Sequence, residues 1–175
     1  FSIGYMMDDI DLSGIGMIGQ LYDIDQIEVH KGPQSSVYGS NSIGGLISLK
    51  SVDPAPKNDF EASITAGNDS LSTINAVMNL KIYKNLFIRI SSNLNYSNGF
   101  RYNKTLELNN TNKKEELFTR MKLLYNPTKN INIFGTIILA RLDNGYDAWA
   151  PDNNENYITY SDDQGEDSQN TNAAS

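Results

Sequence analysis

Apolar and polar residues alternate through most of the chain after residue 58. Ile74, Met78 and Ile82 occupy even positions in one such run, whereas asparagine or lysine stands at 75, 79 and 81. The same period of two returns within 88–96, 117–125 and 131–142. This period is typical of strands whose two faces meet different surroundings. The pattern predicts an antiparallel meander, with strands of the roughly 9–11 residues that cross a bilayer when tilted.

The predicted connections between these strands alternate in length. Residues 83–85 and 126–130 form short turns, whereas 97–115 and 143–167 are long polar segments. Outer-membrane barrels have short periplasmic turns and long extracellular loops. Loops beyond about 12–15 residues are uncommon in a compact soluble domain. The alternation therefore favours a membrane barrel and assigns both long segments to the cell exterior.

A change in residue composition near residue 52 divides the chain. Most of the glycines precede residue 46, and two prolines interrupt the strand pattern within 53–57. Proline restricts the preceding residue to extended conformations, so this stretch is interpreted as a linker. We predict a compact mixed α/β piece over 1–52, a linker over 53–57 and an incomplete set of barrel strands over 58–175.

The N-terminal piece contains the most specific motif, an Ile27-Glu-Val-His-Lys-Gly-Pro33 run followed by Tyr38-Gly39 and Gly44-Gly45. This arrangement resembles the plug domain of TonB-dependent outer-membrane receptors. The family usually has arginine at the position of Lys31 and an apolar residue at the position of His30. The residues that fall on the family positions are Glu28, Lys31, Gly32, Pro33, Tyr38, Gly39, Gly44, Gly45 and Ser51.

A second resemblance links the C-terminal part of the chain to ferric-siderophore-type receptors of the same family. It involves Leu142 to Trp149, Asp152 to Asn154, Thr159 to Asp162 and Gly165 to Gln169. Together the resemblances imply a mainly β fold: a fragment of a plugged transmembrane antiparallel β-barrel with a small α+β plug portion. Because Phe1 stands in strand-like sequence and no stop signal follows Ser175, we interpret the chain as a piece of a longer protein.

The function implied by the resemblance is TonB-dependent active uptake of a scarce nutrient, most simply an iron–siderophore complex, across the bacterial outer membrane. The implied partners are TonB, through a segment outside this sequence, outer-membrane lipid and a small metal-chelate ligand. A soluble all-β binding or surface-adhesion module is the alternative. In that alternative the apolar stripe from Ile74 to Ile82 would pack a core, whereas in a barrel it would face outward.

Charged residues of the lumen are the first group of candidate site residues. A charge inside the lumen must be paired or solvated, so Lys31 is expected to pair with Glu28 or Glu61. Arg89 and Arg120 are predicted on inward strand faces, where they could contact the plug. The acidic segment supplies a candidate extracellular ligand loop, made of Trp149, Asp152, Tyr157 and Tyr160.

Composition argues against catalysis and against nucleic-acid binding. There are no cysteines and one histidine, His30, so neither a thiolate site nor a histidine-based triad can be assembled from this sequence. The net charge is −7, and the sequence has no basic patch that could bind the phosphate groups of a nucleic acid. Residues 14–19 match a dinucleotide-binding fingerprint, but no helix can follow them. We therefore predict no enzyme activity, cofactor or metal site, and interpret Asp8, Asp9 and Asp11 as a solvated strand end.

Overall fold

The computed structural model describes residues 3–15, 21–38, 40–147 and 156–175. Strands dominate these residues, and helical structure is limited to α1, Ser35–Tyr38, and a 3-10 turn, Ser40–Ser42. No helix in the described part of the chain is long and apolar enough to cross a membrane.

The N-terminal part folds into a four-stranded sheet, which we call the plug sheet. It consists of β1 (Ile3–Met7), β2 (Ile10–Asp11), β3 (Ile24–Lys31) and β4 (Gly45–Ser51), in the order β2-β1-β4-β3. Strands β1 and β4 are parallel, and the other two pairs are antiparallel.

The turn between β1 and β2 consists of Asp8 and Asp9, and it directs the Asp8 side chain toward Ser51 and Lys122. Asp8 and Asp9 have positive φ angles of 48° and 65°. Positive φ at both central residues is the requirement of a two-residue type I′ hairpin turn, which aspartate tolerates better than most residues. The doublet therefore closes a tight hairpin.

The second part forms an antiparallel six-stranded sheet, which we call the wall sheet. Its order is β12-β10-β9-β7-β6-β5. A separate two-stranded sheet joins β8 (Tyr102–Asn103) to β11 (Ile158–Thr159) in parallel. The wall strands are β5 (Asp59–Ala66), β6 (Ser72–Tyr83), β7 (Leu86–Ser97), β9 (Lys114–Thr128), β10 (Ile131–Asp147) and β12 (Gln164–Ala174).

The two faces of the wall sheet differ as the alternation predicts. Ile74 and Ile82 on β6 are 41% and 47% exposed, whereas Val77 and Asn79 on the opposite face are buried. The inner face packs on the plug sheet, so the main apolar cluster lies between the two sheets. It comprises Tyr5, Met7, Ile10, Leu12 and Leu49 from the plug side, with Phe118, Ile138 and Ala140 from the wall.

The last strands differ from the sequence prediction. Strand β9 continues to Thr128, so the turn before β10 is shorter than the predicted 126–130. The predicted bounds of the second long loop, 143–167, are too wide, because β10 extends to Asp147 and pairs with β12 from Gln164 onward. Asp143 and Glu166 therefore lie on strands. Backbone pairing with β10 forms β12 although its polar sequence lacks an alternating apolar face.

Candidate functional site

A row of polar side chains crosses the inner face of the wall sheet at one level. In register, Asn79 on β6 faces Arg89 on β7, Arg89 faces Lys122 on β9, and Lys122 faces Thr136 on β10. Arg120 lies two residues from Lys122 on the same face. Residues two apart on a strand share a face, so these side chains are directed together at the plug sheet.

Asp23, just before β3 of the plug sheet, forms an ion pair with Arg89. Its φ of 58° turns the chain just before β3, and its side chain is buried. Arg89 donates from Nε at 2.9 Å and from Nη2 at 2.6 Å to the carboxylate of Asp23. A guanidinium that uses two nitrogens on one carboxylate gives both strength and a defined orientation.

Arg120 connects two aspartates of the plug. Its side chain is only 2% exposed, and Nη2 donates to the backbone oxygen of Asp23 at 2.8 Å. The same nitrogen lies 3.5 Å from Oδ2 of Asp23, and Nε lies 3.8 Å from Oδ2 of Asp8. One wall residue thus touches both the β1–β2 hairpin and the start of β3.

Lys122 completes a second cluster where the plug sheet ends. Its ammonium group donates to Asp53 at 2.6 Å, to Asp8 at 3.3 Å and to the backbone oxygen of Ser51 at 3.2 Å. Asp8 also accepts hydrogen bonds from the backbone nitrogen and hydroxyl of Ser51 at 2.9 and 2.5 Å. The hairpin, the end of β4 and the linker therefore meet on one wall lysine.

The linker itself is held by Asn79, which is fully buried. The amide oxygen of Asn79 accepts from the backbone nitrogen of Ala55 at 2.9 Å, and its nitrogen donates to the oxygen of Ala55 at 2.8 Å. The same nitrogen donates to the oxygen of Lys57. The prolines at 54 and 56 cannot donate, so a side-chain amide on the wall supplies hydrogen bonds to this part of the linker.

Three cations of the wall sheet are matched by three carboxylates of the plug and linker. Arg89, Arg120 and Lys122 meet Asp8, Asp23 and Asp53, and removing one partner from a buried pair leaves a charge that water cannot reach. We call these six residues the ionic belt.

The phenol of Tyr22, next to Asp23 in the sequence, is affected by burial and by nearby carboxylates. Burial raises the pKa of the Tyr22 phenol, and the charges of Glu61 and Asp23 act in the same direction. The Tyr22 side chain therefore stays protonated beside the belt. Within the described ranges no group of three or more histidine, cysteine or acidic side chains could hold a metal ion.

The plug motif occupies the edge of the plug sheet, where Lys31 is in register with Gly45. Gly45 has a φ of 150°, and a Cβ there would lie 2.7 Å from the backbone oxygen of His30. Gly32 has a φ of 87° just after β3. These two glycines are thus required by backbone geometry. Pro33, Tyr38 and Gly44 lie in the connection to β4, and Gly39 lies outside the described residues.

The expected pairing of Lys31 is not found. Lys31 is exposed, and the ion pairs of the described residues join it to neither Glu28 nor Glu61. Glu28 instead contacts the ring of its neighbour His30 at 3.0 Å, and Glu61 is exposed on β5. Lys31 lies on an edge strand whose side chains are largely solvent-exposed, so its charge has no need of a carboxylate.

Sequence reasoning singled out Arg89 and Arg120 but missed their partners. The interpretation of Asp8 as a solvated strand end is wrong, because its carboxylate is 4% exposed and paired with Lys122. Asp23 and Asn79 were not singled out at all. The available signal was the inward position of Lys122 beside Arg120 on β9, which requires plug carboxylates of opposite charge.

Only part of the predicted ligand loop can be placed. Tyr157 and Tyr160 are exposed at the end of the wall where the long connections lie. Trp149 and Asp152 lie outside the described residues.

Comparison with known proteins identifies the N-terminal part directly. Residues 2–46 match the family model described as the TonB-dependent Receptor Plug Domain. Over this part the chain is similar to the TonB-dependent receptors. The match confirms the resemblance of the N-terminal motif to a plug domain, and it agrees with the expected location in the bacterial outer membrane.

Two curated relatives share a short region with this chain. The vitamin B12 transporter BtuB of Vibrio vulnificus is 36% identical over 62 residues, which is 35% of this chain and 10% of that protein. The ferrioxamine B receptor of Salmonella typhimurium is 32% identical over 74 residues, or 37% of this chain and 10% of that protein. The matched region thus spans about a tenth of the length of these relatives.

Solved structures extend the similarity of fold over the whole chain. The ferric yersiniabactin uptake receptor FyuA from Yersinia pestis covers 99% of this chain with a TM-score of 0.79 at 14% identity, and 28% of that chain is matched. The pyoverdine outer membrane receptor FpvA from Pseudomonas aeruginosa covers 82% with a TM-score of 0.66 at 16% identity, matching 21% of that chain. At these identities the likeness concerns the fold.

Proposed function

We propose that this chain is part of a receptor that takes up a scarce nutrient, an iron–siderophore complex, across the outer membrane by TonB-dependent active transport. The observation that carries the proposal is the plug sheet seated on the inner wall of membrane-type strands by the ionic belt. A plug that fills the lumen prevents passive leakage, so transport requires energy to move it. No catalytic role is part of this proposal.

The outer face of the wall supports a membrane setting over the soluble alternative. Ile74, Ile82, Ile133 and Leu139 are each more than 40% exposed on the face opposite the plug sheet. A soluble binding or adhesion module would cover such a stripe with a second sheet, whereas a bilayer covers it with lipid. Outer-membrane lipid is therefore one proposed partner.

We propose a separate role for each of the three segments that the sequence predicts. Residues 1–52 act as the C-terminal part of the plug, 53–57 as the linker, and 58–175 as the first strands and loops of the barrel. Arg89 and Arg120 hold the plug against the wall, while Glu61 contributes charge nearby. The motif residues Glu28 to Gly45 shape the plug edge, and a segment outside this sequence contacts TonB.

A metal-chelate ligand is the proposed cargo, captured at the extracellular loops. Tyr157 and Tyr160, together with Trp149 and Asp152, form the proposed ligand loop. Flat aromatic side chains provide contact area at low conformational cost. The ferrioxamine B receptor among the relatives supports an iron chelate, and the vitamin B12 transporter supports a bulky metal complex in general. Nucleic acid is not a proposed partner.

The proposal is tested in the organism that carries the full-length gene. We expect deletion of the gene to abolish energy-dependent uptake of at least one iron chelate among ⁵⁵Fe-labelled ferrioxamine B, ferric yersiniabactin and ferripyoverdine. Uptake in the parent strain should stop when a protonophore collapses the inner-membrane gradient. Labelled cyanocobalamin serves as the comparison ligand.

Two outcomes would overturn this function. Unchanged uptake of every chelate in the deletion strain under iron starvation would remove the iron assignment. Uptake that continues after the gradient is collapsed would remove the active mechanism. Complementation with the intact gene controls for effects on neighbouring genes.

A further inference from the structure

Two connections of the wall sheet are joined to each other at its long-loop end. Strand β8 lies in the connection between β7 and β9, and β11 lies in the connection between β10 and β12. Their backbones pair in parallel. The backbone nitrogen of Tyr102 donates to the backbone oxygen of Tyr157 at 3.0 Å, and the backbone nitrogen of Lys104 donates to the backbone oxygen of Thr159 at 2.9 Å. We call this contact the loop junction.

Asn103 lies at the centre of the loop junction and is fully buried. Its amide nitrogen donates to the backbone oxygen of Ser161 at 2.8 Å. Its amide oxygen accepts from the backbone nitrogens of Thr105 and Leu106, each at 3.0 Å. One side chain therefore closes a turn within the first connection and ties that turn to the second. The buried amide therefore has hydrogen-bond partners on both its nitrogen and its oxygen.

A second hydrogen bond strengthens the joining of the two connections. The hydroxyl of Thr105 donates to the backbone oxygen of Tyr160 at 2.8 Å. Thr159, opposite Asn103 in the pairing, is 1% exposed. The junction thus has a buried side made of small polar residues, although it lies at the open end of the wall.

The outer side of the junction carries exposed rings from both connections. The rings of Phe100 and Tyr157 meet edge to face with centroids 5.5 Å apart. The ammonium group of Lys104 lies 5.7 Å from the ring centre of Tyr160. Phe100, Tyr102, Tyr157 and Tyr160 are all more than 40% exposed. Each contact pairs one connection with the other, so this aromatic surface exists only while the junction is closed.

We propose that Asn103 is a positioning residue that joins the two loops into one capture surface for a ligand with flat or apolar faces. The inference rests on the proposed function, because it concerns how that receptor first holds its chelate. Separate loops would have to be ordered on ligand binding, and that ordering would weaken the affinity. The closed junction pre-orders rings from both loops before the ligand arrives.

The role predicts a change in affinity without a change in the transport step. Asn103→Ala removes the tie, whereas the exposed Asn109 in the same loop provides a matched control, Asn109→Ala. We expect the half-saturating concentration for uptake to rise about tenfold, a shift of about 1.4 kcal/mol in binding. The maximal uptake rate per receptor at the cell surface should stay unchanged, as should both constants in the control.

A pair of cysteines makes the junction switchable in one protein. Neighbouring strands are about 4.8 Å apart, which is within the Cα separation that a disulfide spans. Asn103 and Thr159 are paired in register and both are buried, so Asn103→Cys with Thr159→Cys can replace the amide tie by a covalent one. The single variant Asn103→Cys controls for loss of the amide and for cysteines elsewhere in the full receptor.

The experiment measures binding to the full-length receptor on whole cells, using the ⁵⁵Fe chelate that supports its uptake. We expect near-native affinity for the oxidised double variant and about tenfold weaker binding after reduction, whereas the single variant is weak in both states. Equal affinity of the double variant before and after reduction would overturn the inference. In that outcome the proposed function still stands, whereas absence of any chelate binding to the native receptor would count against the function itself.

Discussion

The ionic belt and the loop junction both tie together segments that are far apart in sequence, but they use different chemistry. The belt pairs three cations with three carboxylates, most of them buried between the plug sheet and the wall sheet. The loop junction uses one neutral amide, a hydroxyl and backbone groups at the exposed end.

The difference bears on how readily each contact can open. Separating buried charges requires either water to enter or the partners to be replaced, and both are costly. Neutral hydrogen bonds near the surface exchange with water at a net cost of only about 1 kcal/mol each. The belt therefore resists opening more strongly than the junction, which neutral hydrogen bonds hold closed.

The largest expected effect comes from removing the shared carboxylate of the belt. Asp23→Ala leaves Arg89 and Arg120 buried without their common partner, and we expect a loss of about 3–5 kcal/mol in the free energy of plug unfolding. Urea unfolding of the purified receptor in detergent, followed by hydrogen exchange of the β3 and β4 amides, measures it. Glu61→Ala on β5 is the matched control and should change stability by less than about 0.5 kcal/mol. An equal loss in both variants would contradict the belt.

A smaller loss is expected at the second cluster of the belt. Lys122→Met keeps the length of the side chain but removes the ammonium group that binds Asp8 and Asp53. Asp8 retains its hydrogen bonds from Ser51, and Asp53 is partly exposed, so we expect about 1.5–3 kcal/mol, the range for hydrogen bonds to charged groups. The same unfolding measurement applies. Lys84→Met in the exposed β6–β7 turn should be neutral, and a neutral Lys122→Met would contradict a stabilising role for the second cluster.

The smallest effect concerns an ion pair close to the loop junction. The hydrogen bond from Lys113 to Asp143, at 3.0 Å, raises the pKa of the lysine. A raised folded pKa contributes stability at lower pH that is lost as pH rises through the folded value. Because this pair is partly exposed, 1 M salt should screen it as well. Hydrogen exchange of residues 110–113 should therefore speed up slightly at high pH or high salt beyond the intrinsic change, and Lys113→Gln should remove that response.

The neutral junction itself should not respond to salt. Exchange protection of the Tyr102 and Lys104 amides is expected to stay constant between about 0.1 and 1 M salt, because neither hydrogen bond involves a charge. Salt-dependent protection at those two amides would erase the contrast between the two regions.

Most wall strands were predictable from the sequence because they have one exposed apolar side and one side that faces the plug sheet. Alternation from Ile74 to Ile82 and from Ile88 to Tyr96 identified the strands, and it placed Arg89 and Arg120 on the correct face. Strand β12 was missed because Gln164 to Ala174 lacks an apolar stripe. Its existence depends on backbone pairing with β10, which no local pattern in its own residues reveals.

The contacts between plug and wall were only half predictable. Arg120 and Asp8 are separated by more than a hundred positions, and nothing in a local pattern pairs them. The Asp8-Asp9 doublet could have been interpreted as a type I′ turn, which would have fixed the direction of Asp8. The loop junction was equally hidden, since β8 and β11 are two residues each and neither is a strand by periodicity.

We propose that the short turns of the wall sheet face the periplasm, whereas the loop junction faces the cell exterior. Single cysteines at Asn110 and Asn85 of the full-length receptor test it, using a maleimide that does not cross the outer membrane of whole cells. We predict labelling of Asn110→Cys on intact cells, and labelling of Asn85→Cys only after the membrane is permeabilised. Labelling of Asn85→Cys on intact cells, with Asn110→Cys protected, would contradict it.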